Sequence, residues 1–134
     1  MATGLQDRHI RKTSKLLKRC WTFCKQGQLA ADLPNAFIWD SGPDDIVPLE
    51  ISGAASNVSG TNVTYDVLDD GVSILSAPAD MKSAAEGSII PATLVGGVIA
   101  AGSKMSVNLV CNTSTPELDN FVLTIWYRTE AEDE

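Results

Sequence analysis

Histidine, cysteine and long apolar runs are scarce in this chain, and cations are scarce beyond residue 25. His9 is the only histidine among 134 residues. It lies in a basic stretch, so a Ser-His-Asp or Cys-His arrangement elsewhere would need the N-terminus to fold back. The three cysteines, Cys20, Cys24 and Cys111, are odd in number and do not make a disulfide framework. Cys20 and Cys24, read as neighbours on a helix, would run parallel and bridge badly, so all three are expected as reduced thiols. His9 with Cys20 and Cys24 lacks the paired short-knuckle spacing of a structural zinc site. No stretch approaches the ~18 consecutive apolar residues of a membrane span. The basic N-terminus has no apolar run behind it and no small-residue cleavage site, so no signal peptide is expected.

The acids are plentiful but poorly placed for chemistry. Asp44-Asp45, Asp69-Asp70 and residues 130–134 read as turn formers and solubilising charge, not as the paired carboxylates of a glycosidase. Asp69-Asp70-Gly71 lacks the alternating ligands of a calcium loop. Gly96-Gly97 is not followed by the lysine and hydroxyl residue of a phosphate-binding loop. The chain therefore reads as a structural binding protein, not an enzyme, with no metal, cofactor or catalytic residues expected.

The net charge of −7 hides a division. Residues 1–25 carry Arg8, Arg11, Lys12, Lys15, Lys18, Arg19 and Lys25 against Asp7 alone, a net +6. The remainder carries Lys82, Lys104 and Arg128 against sixteen acids, a net −13. An acidic body repels nucleic acid and anionic membranes, so neither is an expected partner; a basic segment in front of it suits an acidic protein surface.

Residues 3–26 read as an amphipathic helix. Ile10, Thr13, Leu17, Cys20 and Cys24 fall three and four apart, with Leu16 and Trp21 beside them and the cations on the rest of the circumference. Gly27 suits the helix end. From Ala36 the period changes to two. Strands are expected over 36–40, 46–51, 62–68, 72–76, 104–111 and 121–128, with glycine-interrupted strands over 88–95 and 97–100. Val63, Tyr65 and Val67 share one face of their strand; Met105, Val107, Leu109 and Cys111 share another. Val72 and Ile74 are expected inward. Asp69-Asp70-Gly71 marks a tight hairpin. Residues 52–60 and 112–120 read as polar loops, and 77–87 as a connection with a helical turn. This spacing predicts a mainly β protein, an antiparallel β-sandwich or jelly roll over residues 36–128, preceded by a basic helical arm over 1–35 and followed by an acidic tail over 129–134. Val122 and Trp126 occupy the second face of the last strand. They are too apolar for a solvated surface, so either that strand is covered on both sides or subunits pack on it.

Four stretches carry a family resemblance: Ile46-Val47-Pro48-Leu49 leading into Ile51-Ser52-Gly53; residues 63–74 with the Asp70-Gly71 hairpin and the Ser73-Ile74 return; Ala100-Ala101-Gly102-Ser103 before Met105; and Leu123-Thr124-Ile125-Trp126-Tyr127-Arg128. Across residues 46–128 the chain resembles the small β-sandwich modules on virions of tailed bacteriophages, found in capsid decoration (cement), head-fibre and tail-fibre proteins. The resemblance implies a homotrimer without catalysis, made in the host cytoplasm and carried on the virion. A single compact module suits a decoration protein that binds and stabilises the assembled shell. The major capsid protein is then the expected partner, contacted through Arg8, Arg11, Lys12, Lys15, Leu16, Leu17, Lys18, Arg19 and Trp21. Val122 and Trp126 are the expected self-association residues. The alternative is a receptor- or glycan-binding module of a fibre, using the loops 52–60 and 112–120.

Overall fold

The computed structural model describes residues 18–29, 31–59, 62–83, 88–111 and 117–130. They form two antiparallel sheets packed face to face, as the period-two patterning predicts. Among the described residues there is no helix. Most of the expected N-terminal helix falls on residues 1–17, outside the described residues; where it overlaps them, the structure corrects it. Arg19–Leu29 is a strand, β1, hydrogen-bonded along the last strand, with Arg19 opposite Tyr127 and Leu29 opposite Leu118. The reason is visible in its side chains. Half-buried Trp21 and Phe23 alternate with exposed Cys20, Thr22 and Cys24, and a run of aromatic and β-branched residues favours a pleated surface. β1 lies within the span expected as a separate arm, and it is part of the sandwich.

The remaining strands are β2 (Leu33–Asp40), β3 (Ile46–Ala54), β4 (Asn57–Ser59), β5 (Val63–Asp69), β6 (Val72–Ser73), β7 (Ala79–Asp80), β8 (Ile90–Pro91), β9 (Lys104–Cys111) and β10 (Glu117–Thr129). One sheet runs β1-β10-β3-β8, and β10 is long enough to pair β4 with its first residues as well. The other runs β2-β9-β5-β6, with β7 also on β5. The inward faces meet as expected. Val63, Tyr65 and Val67 pack with Met105, Val107 and Leu109 from one sheet, against Ile51, Phe121, Leu123 and Ile125 from the other. Each such side chain contributes roughly 1.5–3 kcal/mol by leaving water.

Three further expectations are corrected. Val72 is 69% exposed, because the hairpin that begins at Asp69 turns it outward. Residues 52–59 are largely strand, since β3 and β4 find successive partners along β10. Residues 88–100 contain only the two-residue β8 and isolated bridges at Leu94 and Ile99. Pro91 and the glycines break any longer ladder. The acids of the turns are used by the backbone. Asp70 and Gly71 both have positive φ, at 48° and 85°, as a two-residue hairpin turn of this hand demands. The Asp70 carboxylate accepts from Lys104 N–H at 2.9 Å, and that of Asp45 accepts from Ala101 N–H at 2.9 Å.

Asn120 pins the opposite end. β1 bulges between Lys25 and Gln28, and Gly27 N–H donates to Asn120 Oδ1 at 2.9 Å while Asn120 Nδ2 donates to Ser56 Oγ at 3.0 Å. Asn120 itself has φ 53°, which asparagine tolerates better than most residues. Asn120→Ala is expected to cost about 1–3 kcal/mol in urea denaturation, and Asn120→Gly less, because glycine keeps the backbone and loses only the side-chain bonds.

Candidate interaction surface

The outer face of the β1-β10-β3 sheet follows from strand register. Cys20, Trp126 and Glu50 stand side by side across the three strands, then Thr22, Thr124 and Ser52, then Cys24, Val122 and Ala54. The two residues expected in self-association therefore share this face, two rows apart. Trp126 is 39% exposed and Val122 half-buried. Beyond β3 the irregular segment 88–99 crosses the open side of the sandwich. Its backbone is tied to both sheets. Ala92 N–H donates to Ile51 O at 3.1 Å on one side, and Val95 N–H to Ile74 O at 2.9 Å on the other.

Between this segment and β3 lies a groove of about 670 Å³, lined among others by Leu49, Glu50, Ile89, Leu94 and Trp126. A smaller depression of about 180 Å³ continues past Leu94 to Val72, Val95 and Val98. Six large hydrophobic residues are exposed among the described residues, and five of them, Val72, Ile89, Val95, Val98 and Trp126, line these two depressions. Singly exposed apolar residues mean little; a continuous strip of them marks an interaction surface. No charged residue occurs from Ser88 to Ser103, so among the described residues Glu50 and Asp69 are the only charged ones lining the two depressions. Trp126 and Val122 were legible in the sequence as apolar residues on a face that should be polar. Ile89, Leu94, Val95 and Val98 were not singled out; their one signal is that uncharged run.

The groove is supported from below by Tyr65. Its hydroxyl donates to Ile90 O at 2.7 Å, and burial pushes its phenol above the usual tyrosine range. Removing that donor takes a buried hydrogen bond away from the carbonyl that β8 also presents to β3. Tyr65→Phe is expected to cost about 1–2 kcal/mol and to speed amide exchange at Ala92 and Val95, measured by hydrogen exchange.

The expected partner-binding residues are divided. Arg8, Arg11, Lys12, Lys15, Leu16 and Leu17 lie outside the described residues. Lys18 and Arg19 are exposed where β1 begins, and Lys18 Nζ is 3.9 Å from Glu50 Oε2, the one charged side chain lining the groove. Both side chains of that pair are more than half exposed, so its energy is small; it shows where the basic segment joins the body. Trp21 points the other way. Its ring lies 4.4 Å from Tyr127 and 5.4 Å from Trp39, and Phe23 stacks on Phe37 at 5.2 Å. Trp21 thus belongs to a row of half-buried aromatics closing the sandwich between β1 and β2. Cys20 and Cys24 stand exposed on the outer face, whereas Cys111 is buried with its thiol donating to Leu29 O at 3.3 Å. A scan of known family models finds no match to this chain, and comparison with curated proteins finds no significant relative.

Proposed function

We propose that this chain is a structural virion protein, a capsid decoration protein that binds an assembled phage shell as a homotrimer and stabilises it. The observation that carries the reading is the apolar strip from Val72 to Trp126 on a body that is otherwise acidic. Like-charged bodies repel, so copies meet most easily where charge is sparsest. The strand and turn patterns over residues 46–128 support the same reading. The basic residues ahead of β1, together with Lys18 and Arg19, face an acidic shell protein and set register on it. A ligand that binds only the assembled lattice stabilises that lattice by linkage. Trp21, committed to the aromatic row, contributes through folding.

Replacing Lys15, Lys18 and Arg19 together with glutamate is expected to abolish co-sedimentation with capsids. The triple variant's solution mass, measured in parallel, separates loss of shell contact from loss of the assembly. Undiminished binding of that variant to shells overturns the assignment of the basic segment.

A further inference from the structure

The groove needs an occupant that is apolar, tolerates one carboxylate, and is supplied wherever the protein is. We propose that residues 1–17 of a second copy of this chain lie in the groove formed by Leu49, Glu50, Ile89, Leu94 and Trp126, each copy passing its segment to the next. The inference rests on the self-associating part of the reading above.

Three observations support it. First, the chemistry is complementary. Residues 1–17 carry Leu5, Ile10, Leu16 and Leu17 together with Arg8, Arg11, Lys12 and Lys15 against Asp7. The groove offers Ile89, 70% exposed, and Trp126, with Glu50 as its one charged lining residue. Second, the charges of two copies favour exchange. Beyond residue 25 each chain carries a net −13, so two bodies brought together repel. A cationic segment laid across the junction offsets that repulsion and fixes register. Third, the attachment point is suitable. β1 begins at the end of its sheet, opposite Tyr127, with Lys18 exposed at the perimeter. Seventeen residues reach up to roughly 55 Å, more than the roughly 35 Å width of such a domain. A head-to-tail contact of this kind closes into a ring when the rotation permits, as a trimer requires.

The test uses the full chain with a photo-crosslinking residue in place of Ile10, made in light and nitrogen-15-labelled forms that are unfolded together and refolded before irradiation. The expected products are light–heavy peptide pairs joining residue 10 to the stretch around Ile89 or Trp126. Pairs that are only light–light and heavy–heavy place the segment on its own body and overturn the proposal. Cross-links elsewhere, or none to the groove, overturn it as well. In parallel, the full-length double variant L16D/L17D is expected to lose the mass of the assembly and fall to monomer, with its β-sheet circular dichroism unchanged. An assembly that survives in that variant overturns segment exchange while leaving the trimer standing. A wild-type chain that is monomeric at the outset removes the self-association reading itself, and co-sedimentation with shells reports separately on decoration.

Discussion

Gly53→Ala is expected to destabilise the sandwich by about 2–3 kcal/mol, as an inserted methyl in a filled core does. Gly53 lies in β3 between Leu123 of β10 and Ile90 of β8, and it is buried. A Cβ there would stand 2.7 Å from Tyr65 Cε2 and 3.0 Å from Phe121 Cε1. Neither ring has room to retreat. Tyr65 is wholly buried and tethered through its hydroxyl to Ile90 O, and Phe121 is 1% exposed. Urea denaturation should show a lower midpoint with an unchanged slope, since the surface exposed on unfolding is the same. The tether makes a second, sharper expectation. With Tyr65→Phe already present, the ring is freer to shift, so the two changes together should cost less than their sum. Strict additivity would mean that the hydroxyl does not hold the ring against β3.

Trp126→Glu is expected to abolish the proposed self-association while leaving the monomer folded. Trp126 stands on the outer face of β10 in register with Glu50. The substitution removes the largest exposed apolar side chain of the groove and sets two carboxylates side by side, which is repulsive across a sheet. Because Trp126 is 39% exposed, its loss should change monomer stability by no more than about 1 kcal/mol. Sedimentation equilibrium across a concentration series reads the outcome, and an assembly of unchanged mass would remove this face from the interface. The same substitution at Ile38, 55% exposed on the other sheet, serves as the control and should leave assembly intact.

The strands legible in advance were those in which a single residue pattern carries the whole signal. In β5 and β9 every second side chain is buried, Val63, Tyr65 and Val67 in one and Met105, Val107 and Leu109 in the other, and alternation is a property of the strand alone. The Asp70-Gly71 turn was legible for the same reason, because its positive φ values depend on those two residues. The split between a basic N-terminal segment and an acidic body is likewise composition, readable without coordinates.

Tertiary structure decided the rest. The stretch from Arg19 to Leu29 satisfies a helical spacing through Cys20 and Cys24 and a strand spacing through Trp21 and Phe23. What selects the strand is β10, about a hundred residues away, which supplies backbone partners and an aromatic row for Trp21 and Phe23 to join. Ile89 is an ordinary apolar residue on paper, and Trp126 stands out there only as an apolar residue on a face that should be polar. They become one groove because β3 lies between β10 and β8, so that residues far apart in the chain share a surface. Periodicity reports which side of a strand faces inward, and it is local. Which strands are neighbours, and therefore what the outward side looks like, is set by long-range pairing that no short window of sequence contains.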